Sequence, residues 1–424
     1  MPPVTVKAKT ATKSRQRKRA ERKAEYLTFK DVDRAAEVAF YYGFTPLPAP
    51  LSATKEDREL ARALAEIDAR EVPHENALIP FIEQKVALLR LCLEKGLADG
   101  ALPVLLYGEE SLAGAVLRKD TAPVTRVFLD IIGSGKSIAE ALLLKTAWTT
   151  LQEEGYKNLL LSINSVGDKE SLLKFIRELS GYYRRNISLL PPQCRAALRR
   201  DPLRALSCMH EKCRPLKADA PKAMEFLPEA SRIHFKEVLE YLEALEIPYR
   251  LDHCLVGGRS FTGETLFEIW SIPNAKDVSA GERVCFGFRY NNGAKRVGFK
   301  RDMPAVGAVL LLSRPTKKRK GGRGIRVRKP HFFFLQLGFD AKLQCLKVVE
   351  ALRLAGIPLH QALARDKLST QLATAENLKI PYSLIMGQKE ALEGSVIVRN
   401  NGTRAQETVK VSELPGHLKK LKLA

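Results

Sequence analysis

Apolar residues recur at helical spacing in IPFIEQKVALLRLCLEKGL, where Ile82, Val86, Leu89 and Leu93 share one face. A helix with one buried side is expected there. The same spacing runs from Tyr26 through Val32, Ala36 and Phe40, until Gly43 and the Pro-rich turn of YYGFTPLPAPL end it. LARALAEIDAR gives another helical run. Continuous apolar runs mark buried strands instead: Val127 to Gly133, and LLLSINSVGD over 159 to 168, each closed by turn residues. From His331 onward FFFLQLGF, a helix through Leu343 to Ala355, and SLIM and VIVRN alternate strand with helix. That alternation predicts a small α/β domain with a mostly parallel sheet.

Composition adds a partner class. The 424 residues suffice for two or three domains, and 45% hydrophobic with 28% charged residues is ordinary for a globular chain. A net charge of +22 is not ordinary, and it is clustered. Residues 1 to 25 carry Arg15, Arg17, Lys18 and Arg19 among nine basic side chains, with no acid before Glu21. They lack the apolar stretch of a secretory signal; a basic, acid-poor mitochondrial presequence is the alternative, but the first dozen residues show no amphipathic face, and a disordered or RNA-folded basic tail fits better. TKKRKGGRGIRVRKP at 316 to 330 reads as a flexible linker bearing Lys317, Lys318, Arg319, Lys320, Arg323, Arg326 and Arg328. Lys and Arg gathered this way release counterions on meeting phosphates, which favours RNA. No apolar run reaches the roughly 18 residues that span a bilayer, so no membrane is expected.

Seven scattered cysteines fit a reducing compartment, hence the cytoplasm. Cys208-Met-His210-Glu-Lys-Cys213 offers part of a zinc set, but Cys194 and Cys254 have no paired spacing, so no metal is expected. GSGKS at 133 to 137 fails as a phosphate loop, because Asp130 stands where the first Gly is required.

LDHCLVGGRSFTGETLFEIW, from Leu251 to Trp270, resembles the Leu-Val-Arg-Gly-Leu-Asp-Tyr-Tyr-Thr signature of the histidyl-tRNA synthetases, a class II aminoacyl-tRNA synthetase family. Further matches are Asn164-Ser165-Val166-Gly167-Asp168, Asp201-Pro202-Leu203-Arg204, Gly287-Phe288-Arg289-Tyr290-Asn291, and a motif 3 strand from Pro304 to Arg314. Tyr42-Gly43-Phe44 with Pro50 resembles motif 1, which builds the family's dimer interface. Residues 375 to 399 resemble its anticodon-binding domain.

The resemblance implies an α+β class II domain at 26–315, an antiparallel sheet flanked by helices, followed by the linker and an anticodon-binding-type α/β domain at 331–424. It implies a homodimer, ATP contact at Arg314, and amino-acid contacts at Asp130, Arg259, Arg289 and Tyr290. Asp130 holds the place of the Glu that takes the substrate's α-amino group. The reactive side chains depart from the pattern. Gly257 replaces the catalytic Arg, Ser260 the Asp, and Phe261 and Thr262 the two Tyr. Motif 2 has no match between Tyr107 and Val127, where Arg118 is the candidate remnant. A divergent paralogue with an eroded site, binding tRNA or another RNA through its C-terminal domain, tail and linker, is the leading expectation. The alternative is an active histidine–tRNA ligase using histidine, ATP and Mg. A regulatory subunit of histidine biosynthesis is disfavoured by the C-terminal domain.

Overall fold

The computed structural model describes residues 33–64, 79–100, 102–112, 124–208, 210–257, 261–272, 281–291, 293–313, 330–363 and 368–423. The chain divides into two compact units, residues 46–316 and residues 1–45 with 317–424.

The first unit is built on a sheet. A two-residue strand β1 (Thr45–Pro46) leads in, followed by β2 (Val104–Leu112), β3 (Val124–Ile132), β4 (Leu159–Ser165), β5 (Tyr249–Leu251), β6 (Gly263–Ser271), β7 (Glu282–Arg289) and β8 (Ala305–Leu312). Their spatial order is β1-β2-β3-β8-β7-β6-β4-β5. From β2 to β4 the neighbours pair antiparallel, and the short β5 runs parallel to β4. This is the antiparallel sheet the family resemblance implies.

Alternation along the strands separates two faces. Asp130 pairs across to Gly307 and Gly307 to Phe288, while Phe128 pairs to Val309 and Val309 to Phe286. These residues form one face. The helix Ile79–Glu94 covers it, with Phe81, Ile82 and Leu89 in the same core cluster. Ile82, Val86 and Leu89 are buried as their spacing predicts, whereas Leu93 is 41% exposed. The helix ends one residue later, and Gly96 turns the chain away at φ +61°. The opposite face carries the helix Ser137–Glu153, in which every residue from Ser137 to Leu151 is buried. The helix Glu229–Ala244 packs on that one.

In the second unit the strands are β9 (Phe332–Gln336), β10 (Leu359–Gln361), β11 (Tyr382–Met386), β12 (Ser395–Asn400) and β13 (Gln406–Lys410), ordered β10-β9-β11-β12-β13. β9 is parallel to both its neighbours, and all of Phe332 to Gln336 is buried, as a central strand requires. The expectation of a mostly parallel sheet is corrected on the other side: β11–β12 and β12–β13 are antiparallel. Only Gly387 to Gly394 join β11 to β12, too few residues for a parallel crossover. Asn400 then tightens the β12–β13 hairpin by accepting from the amides of Gly402 and Thr403.

The helix Arg34–Tyr41 belongs to this second unit, not to the 26–315 domain in which the sequence places it. Tyr41 donates its hydroxyl to the Ile357 carbonyl (2.9 Å), Tyr42 donates to Glu350 (2.5 Å), and the Gln361 amide donates to the Tyr42 carbonyl (2.6 Å). Tyr42, part of the stretch resembling motif 1, thus gives its hydroxyl and its carbonyl to residues of the chain's own C-terminal unit.

Candidate amino-acid site

Asp130 lies on β3 in the middle of the sheet, facing the helix Ile79–Glu94. Lys85, one turn beyond Phe81 on that helix, donates from Nζ to Asp130 Oδ1 at 2.6 Å. Tyr290, just past β7, donates its hydroxyl to the same oxygen at 2.7 Å. Lys85, Asp130 and Tyr290 are each no more than 1% exposed. Burial pushes the Asp130 carboxyl up against the pull of Lys85 and Tyr290. The lysine beside the carboxyl leaves the pair neutral overall, which is what a buried site demands.

Aromatic rings close over the pair. Phe261 stacks on Tyr290 with centroids 5.6 Å apart, and Phe288 meets both edge-on at 6.1 Å. The Lys85 ammonium lies 5.7 Å from the centre of the Tyr290 ring. Phe288 stands where the family signature has a second Gly, and it points to the Asp130 side of the sheet because its cross-strand partner is Gly307. Gly307 itself is demanded by the ion pair. A Cβ there would fall 1.9 Å from Asp130 Oδ1 and 2.7 Å from Lys85 Nζ.

The loop before β6 has closed too. Asn164 at the end of β4 donates its amide to the Leu255 carbonyl (2.9 Å), tying the Leu255-Val256-Gly257 segment to the sheet. A Cβ on Gly257 would lie 2.2 Å from Thr262 Oγ1, so an Arg at this position would displace Thr262.

Arg289 goes elsewhere. Being next to Phe288 on β7, it points to the opposite face. There it donates from Nε to Glu140 Oε1 at 2.6 Å and from a terminal nitrogen to Glu140 Oε2. Its other contacts are the carbonyls of Ser134 (2.8 Å) and Lys136 (3.4 Å). His234 Nε2 meets Glu140 Oε1 at 2.8 Å. Burial alone would push the Glu140 carboxyl up, but Arg289 and His234 outweigh it and hold it at about 2. The GSGKS turn thus offers carbonyls to a guanidinium, the reverse of the N–H cradle a phosphate needs.

The sequence-predicted set is accordingly split. Asp130 and Tyr290 come together, and Arg289 is separated from them by the sheet. Arg259, Arg314, Arg118, the tail residues Arg15, Arg17, Lys18 and Arg19, and the linker residues from Lys317 to Arg328 lie outside the described residues. Sequence reasoning missed Lys85 and Glu140. Both had a signal: Lys85 follows Ile82 by three and precedes Leu89 by four, on the apolar face, and Glu140 interrupts the otherwise apolar SIAEALLL. It also set Cys194 apart from Cys208 and Cys213, whereas their sulfurs all lie within 4.8 Å of one another.

Residues 332–421 match the anticodon binding domain family. A histidine–tRNA ligase of Listeria innocua is 31% identical over 287 residues, 67% of this chain and 67% of that protein. One from Caldicellulosiruptor saccharolyticus is 26% identical over 346 residues, 80% of each. The apo histidyl-tRNA synthetase of S. aureus aligns structurally at 20% identity with a TM-score of 0.47, covering 98% of this chain and 99% of that one. With a class II-type antiparallel sheet, a separate anticodon-binding-type domain and a histidine–tRNA ligase 31% identical over 67% of its length, the chain belongs to the histidyl-tRNA synthetase family of class II aminoacyl-tRNA synthetases.

Proposed function

We propose that this chain binds tRNA or another RNA and forms no histidyl-adenylate, because its own Lys85 occupies the acceptor for the amino acid. The carrying observation is the 2.6 Å contact of Lys85 with Asp130 in a fully buried site. By the family resemblance, Asp130 stands where the substrate's α-amino group is received. A lysine ammonium has the same charge and the same three donors, so it satisfies Asp130 as the substrate would. Histidine would have to leave Lys85 buried without its partner, at a cost of several kcal/mol. Adenylation would further lack the Arg replaced by Gly257, and one such preorganised donor is worth about 10²- to 10³-fold in rate.

The anticodon-binding-type domain and the +22 charge support RNA as the partner. Among the described residues no helix is long and apolar enough to cross a membrane. A homodimer is kept in this reading on family resemblance alone. The test is filter binding of the full chain to bulk tRNA across a salt series. Affinity is expected to fall on the order of 10³-fold between about 50 and 200 mM salt, as for proteins that neutralise several phosphates. No binding at the lowest salt would remove RNA from the account.

A second reading, an active ligase, is favoured by the names of relatives such as those of Listeria and Caldicellulosiruptor, which are histidine–tRNA ligases. It requires Lys85 to leave Asp130 when histidine arrives, with Arg259 and Arg314 supplying the charge lost at Gly257.

A further inference from the structure

A run of short helices, Pro192–Arg200, Leu203–Ser207 and Arg214–Ala218, lies far in sequence from the Lys85–Asp130 pair. Helices of this length have no stability of their own. Three thiols converge among them: Cys194 from the first helix, Cys208 just after the second, and Cys213 at the end of the turn Glu211–Cys213. Their sulfurs lie within 4.8 Å of one another, with Cys194 and Cys208 only 3.4 Å apart. A tetrahedral zinc with Zn–S bonds of about 2.3 Å places its sulfurs roughly 3.8 Å apart, so the triad needs little movement to close on one ion.

A second observation points to the same place. Tyr183 is fully buried, and its hydroxyl has no hydrogen-bond partner. Tyr182, Cys254, Cys213 and Cys208, in that order, act electrostatically on its phenol. Leaving a buried hydroxyl without a partner is costly, and a water on a metal held by these cysteines would supply one. Lys217 adds compensating charge, its ammonium donating to the Cys208 carbonyl at 2.6 Å.

The geometry points to a zinc(II) site formed by the thiolates of Cys194, Cys208 and Cys213, with a water beside the Tyr183 hydroxyl in the fourth position. Binding releases one proton from each thiol to solvent, and zinc undergoes no redox change. Three soft sulfur donors select zinc over magnesium or calcium, which take oxygen ligands. The ion staples the first helix to the loop 208–213, and its binding energy becomes folding energy for this segment. The inference is independent of the reading of the amino-acid site.

The full chain, expressed with added zinc and purified without chelator or polyhistidine tag, is assayed for zinc by mass spectrometry. It is then stripped under reducing conditions and loaded with cobalt(II). About one zinc per chain is expected, together with a thiolate-to-cobalt charge-transfer band and the visible bands of tetrahedral cobalt. Cys208→Ser and Cys213→Ser should fall to the blank level of zinc, and Cys254→Ser, outside the triad, should keep it. Zinc retained in Cys208→Ser would overturn the assignment. So would a stripped, reduced chain that shows no charge-transfer band, whether or not the serine variants fold. A Cys194–Cys208 disulfide in the isolated protein, two hydrogens lighter by mass and without cobalt binding after reduction, would also overturn it.

Discussion

Replacing Arg289 with Met is expected to lower the unfolding free energy of the 46–316 unit by about 3–5 kcal/mol, the usual cost of removing one partner from a buried ion pair. Glu140 is entirely buried, and without Arg289 its carboxylate retains, among the described residues, His234. Urea titration followed by tryptophan fluorescence measures this directly, since Trp148 and Trp270 both lie in that unit. The same pair sets an acid limit. Glu140 has its folded value held at about 2, below an unfolded value of 4.5. Its contribution is therefore complete above 4.5 and is lost as pH falls from 4.5 towards 2. At about 1.4 kcal/mol per pH unit it amounts to roughly 3 kcal/mol over that window. The Arg289→Met variant should lose most of this acid slope. A variant as stable as the parent, with an unchanged slope, would show that the pair does not hold the helix Ser137–Glu153 to the sheet.

Lys85→Met is expected to have an effect of similar size for a different reason. It leaves Asp130 buried with only the Tyr290 hydroxyl, and burial already pushes that carboxyl up. The carboxyl will take up a proton rather than remain an unpaired charge, so the cost falls at the lower end of about 3–5 kcal/mol. Replacing both partners, Lys85→Met with Asp130→Asn, should recover all but about 1 kcal/mol, because no unpaired charge remains. The double-mutant cycle then gives a coupling energy of about 2 kcal/mol or more. A coupling near zero would place Lys85 away from Asp130.

Much of this was legible in the sequence, for reasons that separate cleanly. The strand at Val127–Ile132 and the face of Ile82, Val86 and Leu89 were readable because burial imposes a period on a single element. The antiparallel order of the first sheet came from the family resemblance, since periodicity within a strand does not choose its neighbours. The parallel half of the second sheet followed from strand–helix alternation. The antiparallel half did not, because it depends on the short Gly387–Gly394 connection. What stayed hidden depends on contacts between distant residues. Tyr41 and Tyr42 look like the end of a local helix until Ile357, Glu350 and Gln361 are placed beside them. Arg289 and Tyr290 are consecutive, yet the pleat sends Arg289 to Glu140 while Tyr290 turns to Asp130. Cys194 has no spacing relation to Cys213, and only the turns between short helices bring them together.

The departures at Gly257 and Phe288 were visible as substitutions, but their consequence was not. Nothing in the family motifs points to Lys85, on the helix Ile79–Glu94, as the partner of Asp130. That step requires knowing that the helix Ile79–Glu94 lies across β3 and β7.

The central claim, that Lys85 closes the amino-acid site, is tested most directly by ATP–pyrophosphate exchange on the purified full chain with histidine, Mg and ATP. The account predicts exchange no higher than in the control without amino acid, at any histidine concentration. Histidine-dependent exchange well above that control would contradict it, establish the ligase reading, and make Arg259 and Arg314 the next residues to replace.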